Sequence, residues 1–149
     1  MDIKIASTDQ DISACFSVLK QLRPNISEST FVADIRRMEK EGFRLVFLAD
    51  PDVKAVAGYR TMEMLATGKV LYVDDLVTDN ESRSAGYGGH LLGFLVEEAQ
   101  KLGCAYFELD SGTNRLDAHR FYRRQGLSEI ATHFSMPLGA SPKWSENLV

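Results

Sequence analysis

Apolar and polar residues alternate with two different periods along this chain. Short apolar runs, and runs in which every second residue is apolar, predict strands. The predicted strands lie at residues 2–6, 43–49, 53–65, 69–78 and 105–110, with one or two closing strands within 127–138. Apolar residues spaced three and four apart predict helices instead. The predicted helices lie at residues 9–22, from about 27 to 41, at 87–102 and at 116–125.

The order of these elements predicts the fold class. Because a helix separates the strands at 69–78 and 105–110, we expect those two strands to be parallel, whereas the strands before them are joined by short turns and are antiparallel. The chain is therefore predicted to be α+β, with a mixed, largely antiparallel sheet flanked by helices on both faces. Residues 1–140 are predicted to form a single domain, and residues 141–149, with Trp144, an irregular tail.

Composition and charge exclude several classes of protein. Of 149 residues, 44% are hydrophobic and 26% charged, which is typical of a globular domain. The net charge of −4 argues against general nucleic-acid binding. No apolar run is long enough for a membrane span, and the start lacks the layout of a signal peptide, so we expect a cytoplasmic protein. Cys15 and Cys104 are predicted to be reduced packing residues, and no metal is expected.

A glycine-rich segment, Arg-Ser-Ala-Gly-Tyr-Gly-Gly-His at 83–90, joins a predicted strand to a predicted helix. Glycines at such a junction let backbone N–H groups face an anion at the positive end of the helix, and Arg83 adds a full charge. The segment therefore predicts a diphosphate site. The spacing of Gly86, Gly88 and Gly89 does not fit the dinucleotide fingerprint, and the lysine of a P-loop is missing. The structural alternative is that the glycines serve only a tight turn.

Two motifs carry a resemblance to a known family. The pattern Arg-x-x-Gly-x-Gly at 83–88, which follows Asp-Asp-Leu-Val-Thr at 74–78, resembles the coenzyme A signature of the GNAT superfamily of acetyl-CoA-dependent N-acetyltransferases. The run Ala-His-Arg-Phe-Tyr-Arg-Arg-Gln-Gly-Leu at 118–127 resembles the second motif of that family. The resemblance covers about residues 2–138. It implies the GNAT acyl-CoA N-acyltransferase fold, acetyl-CoA as acyl donor, and direct attack by a primary amine in a ternary complex.

The resemblance also assigns roles to residues. It implies that the diphosphate is bound by Arg83, the N–H groups of 84–89 and His90. It also implies that the pantetheine arm binds the strand edge at 76–78, where an N–H group polarises the thioester carbonyl. Tyr122 would protonate the leaving thiolate. The family often has glycine where Ser84 stands, and Arg115 holds the position of its loop asparagine, one place after Asn114. The predicted cofactor-binding residues are Leu76, Val77, Thr78, Arg83, Ser84, Ala85, Gly86, Tyr87, Gly88, Gly89, His90 and Asn114.

A carboxylate is needed to take a proton from the amine, whose pKa in solution is about 10. Asp74 lies nine residues before the arginine, which is the position of the family's acidic base, and Asp75 is the second candidate. A regular strand would place the two on opposite faces, and a bulge would change this. Glu108 and Asp110 are further candidates. His119 and His133 are weaker candidates, named because histidine is a common general base.

The acceptor is left open at this point. If the four acidic residues converge, they favour a small cationic amine such as a polyamine, an aminoglycoside or an amino-phosphonate. A protein lysine or N-terminal amine is an alternative acceptor. A catalytically silent coenzyme A-binding sensor is an alternative of another class. A homodimer is compatible with the resemblance.

Overall fold

The computed structural model describes residues 1–139, and the chain divides into two compact units, Met1–Leu109 and a second unit that begins at Asp110. The predicted tail with Trp144 lies outside the described residues, and the single domain at 1–140 stays a prediction. No helix within residues 1–139 has the length and apolarity needed to cross a membrane.

The first unit contains a five-stranded sheet in the order β1-β2-β3-β4-β5. Neighbouring strands from β1 to β4 are antiparallel, and β5 is parallel to β4. Fully buried apolar residues such as Leu45, Val56 and Leu71 form its core. The strands are β1 (Asp2–Ile5), β2 (Arg44–Ala49), β3 (Val53–Met64), β4 (Gly68–Thr78) and β5 (Tyr106–Leu109).

Helices cover both faces of this sheet. They are α1 (Asp9–Leu22), α2 (Phe31–Glu39) and α3 (Tyr87–Lys101). Gly58 and Tyr59 are consecutive in β3 and so point to opposite faces. The face of Gly58 carries Asp75, which pairs with Arg23 just after α1, whereas the pKa of Tyr59 is raised by burial and by Glu98 of α3. The predicted α+β class is therefore confirmed.

One helix boundary was predicted too early. The second helix was predicted to begin near Ser27, whereas α2 begins at Phe31. Residues 27–30 form turns instead, in which the hydroxyls of Ser27 and Ser29 lie 3.1 Å apart and Thr30 Oγ1 donates to Asp34. Serine and threonine hydroxyls compete with the backbone for hydrogen bonds, and they therefore favour turns and helix starts over helix interiors.

The second unit contains α4 (Leu116–Arg124), in which Tyr122 is buried and its ring meets that of Phe121 edge to face, with centroids 5.4 Å apart. The closing strands predicted within 127–138 are wrong, because residues 127–138 have no strand in the structure. The apolar side chains there are exposed, Phe134 by 89%. An alternating pattern supplies the side chains of a strand but not the partner that its backbone needs.

Candidate active site

The end of β4 and the start of α3 lie at the same end of the sheet. The start of β3 and the end of β4 are neighbours there, because Ala55 pairs with Thr78. The turn between β2 and β3 lies at the same end, and its Asp50 accepts a hydrogen bond of 2.8 Å from the hydroxyl of Tyr87, the first residue of α3. The end of β4 and the start of α3 are therefore close to each other.

The second half of β4 has a neighbouring strand on one side only. β5 pairs with β4 along residues 70–73 and no further. Leu76, Val77 and Thr78 pair with residues 55–57 of β3, and no other strand among residues 1–139 lies along their outer edge. An extended, amide-bearing chain can add to such an edge as a further strand would. The pantetheine contact assigned to these residues stays a prediction, and their backbone geometry is compatible with it.

The start of α3 differs from that of α1 in its capping. Gly86 precedes the helix in the left-handed region with φ of 83°, and Ser84 has φ of 70°. No side chain among residues 1–139 caps α3, and the first turn of the helix contains no acidic residue. The N–H groups of residues 87–89 have no carbonyl partner within the helix. These N–H groups form the positive end of the helix dipole, where an anion is stabilised.

The other predicted diphosphate residues lie around this helix start. Arg83, Ser84, Ala85 and Gly86 are exposed, as is His90 in the first turn of α3. Arg83 has no ion-pair partner among the described residues, so its charge is not neutralised within that part of the chain. These residues lie in one exposed segment that carries the charge of Arg83, and their contact with a diphosphate remains a prediction.

The two aspartates of β4 lie on the same face of the sheet because of a β-bulge. The pairing of β3 with β4 shifts between Gly58 and Tyr59, so Asp74 is an extra residue without a cross-strand partner. A Cβ at Gly58 would lie 2.8 Å from Asp75 Oδ2, and Asp74 binds Arg60, two residues further along β3. The opposite-face arrangement of a regular strand is therefore wrong here.

Asp74 is held by two of the three nitrogens of one arginine. Arg60 Nη2 donates to Asp74 Oδ2 at 2.6 Å, and Arg60 Nε donates to both carboxylate oxygens at 3.1 Å. The Arg60 guanidinium carbon lies 5.4 Å from the ring centroid of Phe43, on which the planar group packs. Asp74 raises the pKa of Arg60, which therefore stays charged.

Asp75 pairs with an arginine that follows α1. Arg23 Nε donates to Asp75 Oδ1 at 2.7 Å, and Arg23 Nη2 donates to the backbone carbonyl of Asp74 at 3.0 Å. Burial raises the pKa of Asp75, although Arg23 opposes this shift. Gly58 makes the arrangement possible, because a Cβ there would overlap the Phe43 ring.

The last turn of α1 also contacts the loop that leads to α3. Gln21 Nε2 donates to Asp79 Oδ1 at 2.9 Å, and Gln21 Oε1 accepts from Asn80 N at 2.9 Å. Asp79 accepts a second hydrogen bond from Ser82 Oγ, next to Arg83 in the chain. The end of α1 thus contacts the loop that precedes the predicted diphosphate site and, through Arg23, the two aspartates of β4.

Two of the four acidic residues predicted to converge are neighbours in β4, and the convergence of all four stays a prediction. Asp74 and Asp75 come together, but each is paired with an arginine. Glu108 lies beside Tyr72 in the register of β4 and β5. Asp110 belongs to the second unit, where its carboxylate lies 3.6 Å from His133 Nδ1.

The remaining predicted residues also lie in the second unit. Asn114 lies in the loop before α4, and His119 Nε2 is 2.7 Å from the carbonyl oxygen of Gly112 in the same loop. His119 thus has a structural contact. Tyr122 is buried in α4. Its predicted role towards a thiolate is not tested by these contacts.

The two arginines that organise the aspartates were not among the predicted site residues. Arg60 directly follows the buried run 55–59 of β3, and a charge beside such a run is a usable signal for a paired or functional side chain. Arg23 carried no comparable signal. Among residues 1–139, no group of three or more His, Cys, Asp or Glu side chains could hold a metal ion, and Cys15 and Cys104 are both free thiols.

The family of the chain follows from comparison with known proteins. The model of the Acetyltransferase (GNAT) family matches residues 8–127. The chain therefore belongs to the GNAT acetyltransferase family, and it is an acetyl-transferring enzyme of the acyltransferase class. The resemblance found in the two sequence motifs is confirmed.

Individual relatives agree with this assignment. The chain is 30% identical over 122 residues to the uncharacterized N-acetyltransferase YhdJ of Bacillus subtilis, covering 80% of this chain and 86% of that protein. It is 35% identical over 66 residues to the aminoalkylphosphonate N-acetyltransferase of Salmonella typhimurium, covering 44% and 43%. The solved structure of AAC(6′)-Iy with the bisubstrate analogue CoA-S-monomethyl-acetylneamine shares the fold, with a TM-score of 0.80, 14% identity and coverage of 93% and 98%.

Proposed function

We propose that this enzyme transfers an acetyl group from acetyl-CoA to the primary amine of a small metabolite by direct attack in a ternary complex. One observation carries the proposal: the unpaired outer edge of β4 and the uncapped start of α3 lie at the same end of one sheet. The edge suits an extended pantetheine arm, and the helix start suits a diphosphate. The relative named as an aminoalkylphosphonate N-acetyltransferase supports a small amine as acceptor.

Binding of acetyl-CoA in this proposal uses backbone groups and one charge. Arg83 and the N–H groups of residues 84–89 would hold the diphosphate, with His90 and Asn114 as further contacts. The outer edge of Leu76, Val77 and Thr78 would hold the pantetheine. An N–H group of that edge would also stabilise the oxyanion that develops when the amine attacks the thioester carbonyl.

The amine must lose a proton before or during attack, and either aspartate of the bulge could accept it. Asp74 has both oxygens engaged by Arg60. Asp75 has one oxygen bonded to Arg23, and burial raises its pKa, which suits a proton acceptor. We therefore propose Asp75, directly or through water, as the proton acceptor, and Asp74 as a group that orients the cationic amine.

We propose that Tyr122 protonates the leaving thiolate, on the strength of the second family motif. Tyr122→Phe removes only the hydroxyl, and we expect kcat to fall about 100-fold while the Kd of acetyl-CoA stays nearly unchanged. Free thiol release measures kcat, and calorimetry measures binding. Tyr106→Phe, which changes an exposed tyrosine of β5, is the matched control and should leave both values unchanged.

An equal loss of binding and turnover in Tyr122→Phe would show that this tyrosine is structural. Tight binding of acetyl-CoA without thiol release on any amine would favour the silent sensor over the enzyme. Release with a lysine peptide, and none with small amines, would favour the protein acceptor. Cytoplasmic localisation and a homodimer stay predictions.

A further inference from the structure

Four charged side chains form a compact cluster on one face of the sheet, which we call the bulge cluster: Arg23, Arg60, Asp74 and Asp75. Two ion pairs hold it together, at 2.7 Å between Arg23 and Asp75 and at 2.6 Å between Arg60 and Asp74. The four side chains are 15–26% exposed, so solvent reaches them. The cluster has equal numbers of positive and negative charges.

This balance of charge bears on the acceptor. A cluster with only carboxylates would favour a polycation, but here a second ammonium group would face an arginine. A molecule with one ammonium and one anionic group matches the cluster instead, because each of its charges has an opposite neighbour. Matched charges of this kind fix orientation and exclude wrong partners more than they add affinity.

Arg60 has the donor geometry for the anionic group. Its Nε and Nη2 groups bind Asp74, and Nη1 donates to no acceptor among residues 1–139. The Phe43 ring supports the guanidinium plane and thereby fixes the direction of the remaining N–H groups. A guanidinium presents five N–H groups in a rigid plane that suits the oxygens of carboxylates and phosphonates.

We infer that the acceptor amine also carries an oxyanion, a carboxylate or a phosphonate, and that Arg60 selects it. The inference rests on the proposed acetyltransferase function and narrows its substrate class to zwitterionic amines. The ammonium group lies against the carboxylates of the bulge cluster, and the oxyanion binds the Nη1 side of Arg60.

The test compares four amines of similar length with the full-length enzyme and acetyl-CoA: β-alanine, 2-aminoethylphosphonate, ethanolamine and putrescine. Release of free thiol gives kcat/KM for each. We expect at least one of the two anionic amines to exceed both others about tenfold or more, as for one charge-assisted hydrogen bond. The ranking of β-alanine and the phosphonate identifies the oxyanion. Preference for putrescine or ethanolamine would overturn the inference.

Variants separate selection from folding. Arg60→Gln should lower kcat/KM for the preferred anionic amine about tenfold more than it lowers kcat/KM for ethanolamine. Arg60→Lys keeps the charge and should recover part of the preference. The control Arg44→Gln removes a charge from β2. Arg44 bonds backbone carbonyls and is the cross-strand partner of Tyr59, on the face of the sheet away from the bulge cluster, so the ranking should stay unchanged. Equal losses for all amines in both Arg60 variants would make Arg60 structural and overturn the inference.

Calorimetric titration of the amines into the complex with coenzyme A distinguishes this inference from the proposed function. Saturable binding of an anionic amine that Arg60→Gln abolishes, without thiol release from any amine, would overturn the proposed function and retain the binding site. Absence of both binding and thiol release would overturn both.

Discussion

Two helix starts in this molecule solve the same problem in opposite ways. At α1, Thr8 Oγ1 accepts from Asp11 N at 3.0 Å, and Asp11 Oδ2 accepts from Thr8 N at 3.4 Å, which completes a capping box. At α3, the preceding residue is Gly86, and no side chain in the described part of the chain caps the helix. Every helix leaves its first N–H groups without partners inside the helix. The chain satisfies these groups with its own side chains at α1 and leaves them open at α3.

The start of α1 contributes to the stability of the fold, whereas the start of α3 is proposed to bind a ligand. The α1 cap stabilises the folded protein in all conditions in which Asp11 is ionised. Burial opposes ionisation, but hydrogen bonds from Thr8 and the nearby Lys4 lower the pKa of Asp11 overall. The contribution of this carboxylate is therefore present above its unfolded pKa of about 4 and is lost as the pH falls through the lower folded value. The start of α3 forgoes such a cap, so its donors remain available to a ligand.

The largest effect should come from giving α3 an acidic cap like that of α1. In Gly86→Asp, a carboxylate would occupy the open N–H groups and repel the diphosphate, and we expect the Kd of acetyl-CoA to rise about 100-fold. Gly86→Asn is the control, because asparagine also tolerates the left-handed backbone of this position but carries no charge. Calorimetry should rank affinity as wild type, Asn variant, Asp variant. Equal losses in the two variants would mean that backbone strain, and not charge, is responsible.

A smaller effect should follow from removing the charge beside α3 while leaving its backbone intact. We expect Arg83→Gln to raise the Kd of acetyl-CoA about tenfold, since one charge-assisted contact is lost. The salt dependence of binding should also weaken, because a charge that attracts the diphosphate is missing. Arg37→Gln, on the exposed side of α2, removes the same charge from a pair with Asp34 and should have no effect on binding. If the two variants bind alike, Arg83 does not contact the diphosphate.

The smallest effect on binding, and a clear one on stability, should come from breaking the α1 cap. Thr8→Ala is expected to lower the free energy of unfolding by about 1 kcal/mol, the usual loss for an N-cap threonine. Denaturant unfolding measures this change, with the Kd of acetyl-CoA expected to stay at the wild-type value. A marked loss of acetyl-CoA affinity would contradict the contrast, because the α1 start would then also serve the ligand.

Sequence patterns predicted the elements of the first unit to within a few residues. Strands such as β3 and helices such as α3 are long and strongly periodic, and their periodicity follows directly from which side chains are buried. The exception was the start of α2, where local serine and threonine hydrogen bonds outweigh helical periodicity. The closing strands at 127–138 failed because a strand depends on a partner that a local pattern does not specify.

The motifs of the candidate site were predicted from the sequence, but the arginines that balance the charges of its two aspartates were not. Arg83 and the glycines of 86–89 were found because a helix start after a strand is recognisable from spacing alone. The bulge at Asp74 depends on the register of β3 against β4, which no local pattern specifies. Arg23 lies 51 positions before Asp74 in the chain, so its contact with the bulge follows only from the tertiary fold.

The contacts of the last turn of α1 limit how this enzyme can be redesigned. Arg23 follows α1 and belongs to the bulge cluster, so exchanging the segment after α1 is one way to alter the proposed acceptor site. Gln21 and Arg23 lie just before that segment, and they contact Asn80 and Asp75 respectively. A graft that begins after Arg23 keeps both contacts. A graft that begins before Gln21 would remove the hydrogen bonds to the loop before Arg83, and it would therefore disturb the proposed acetyl-CoA site as well as the acceptor site.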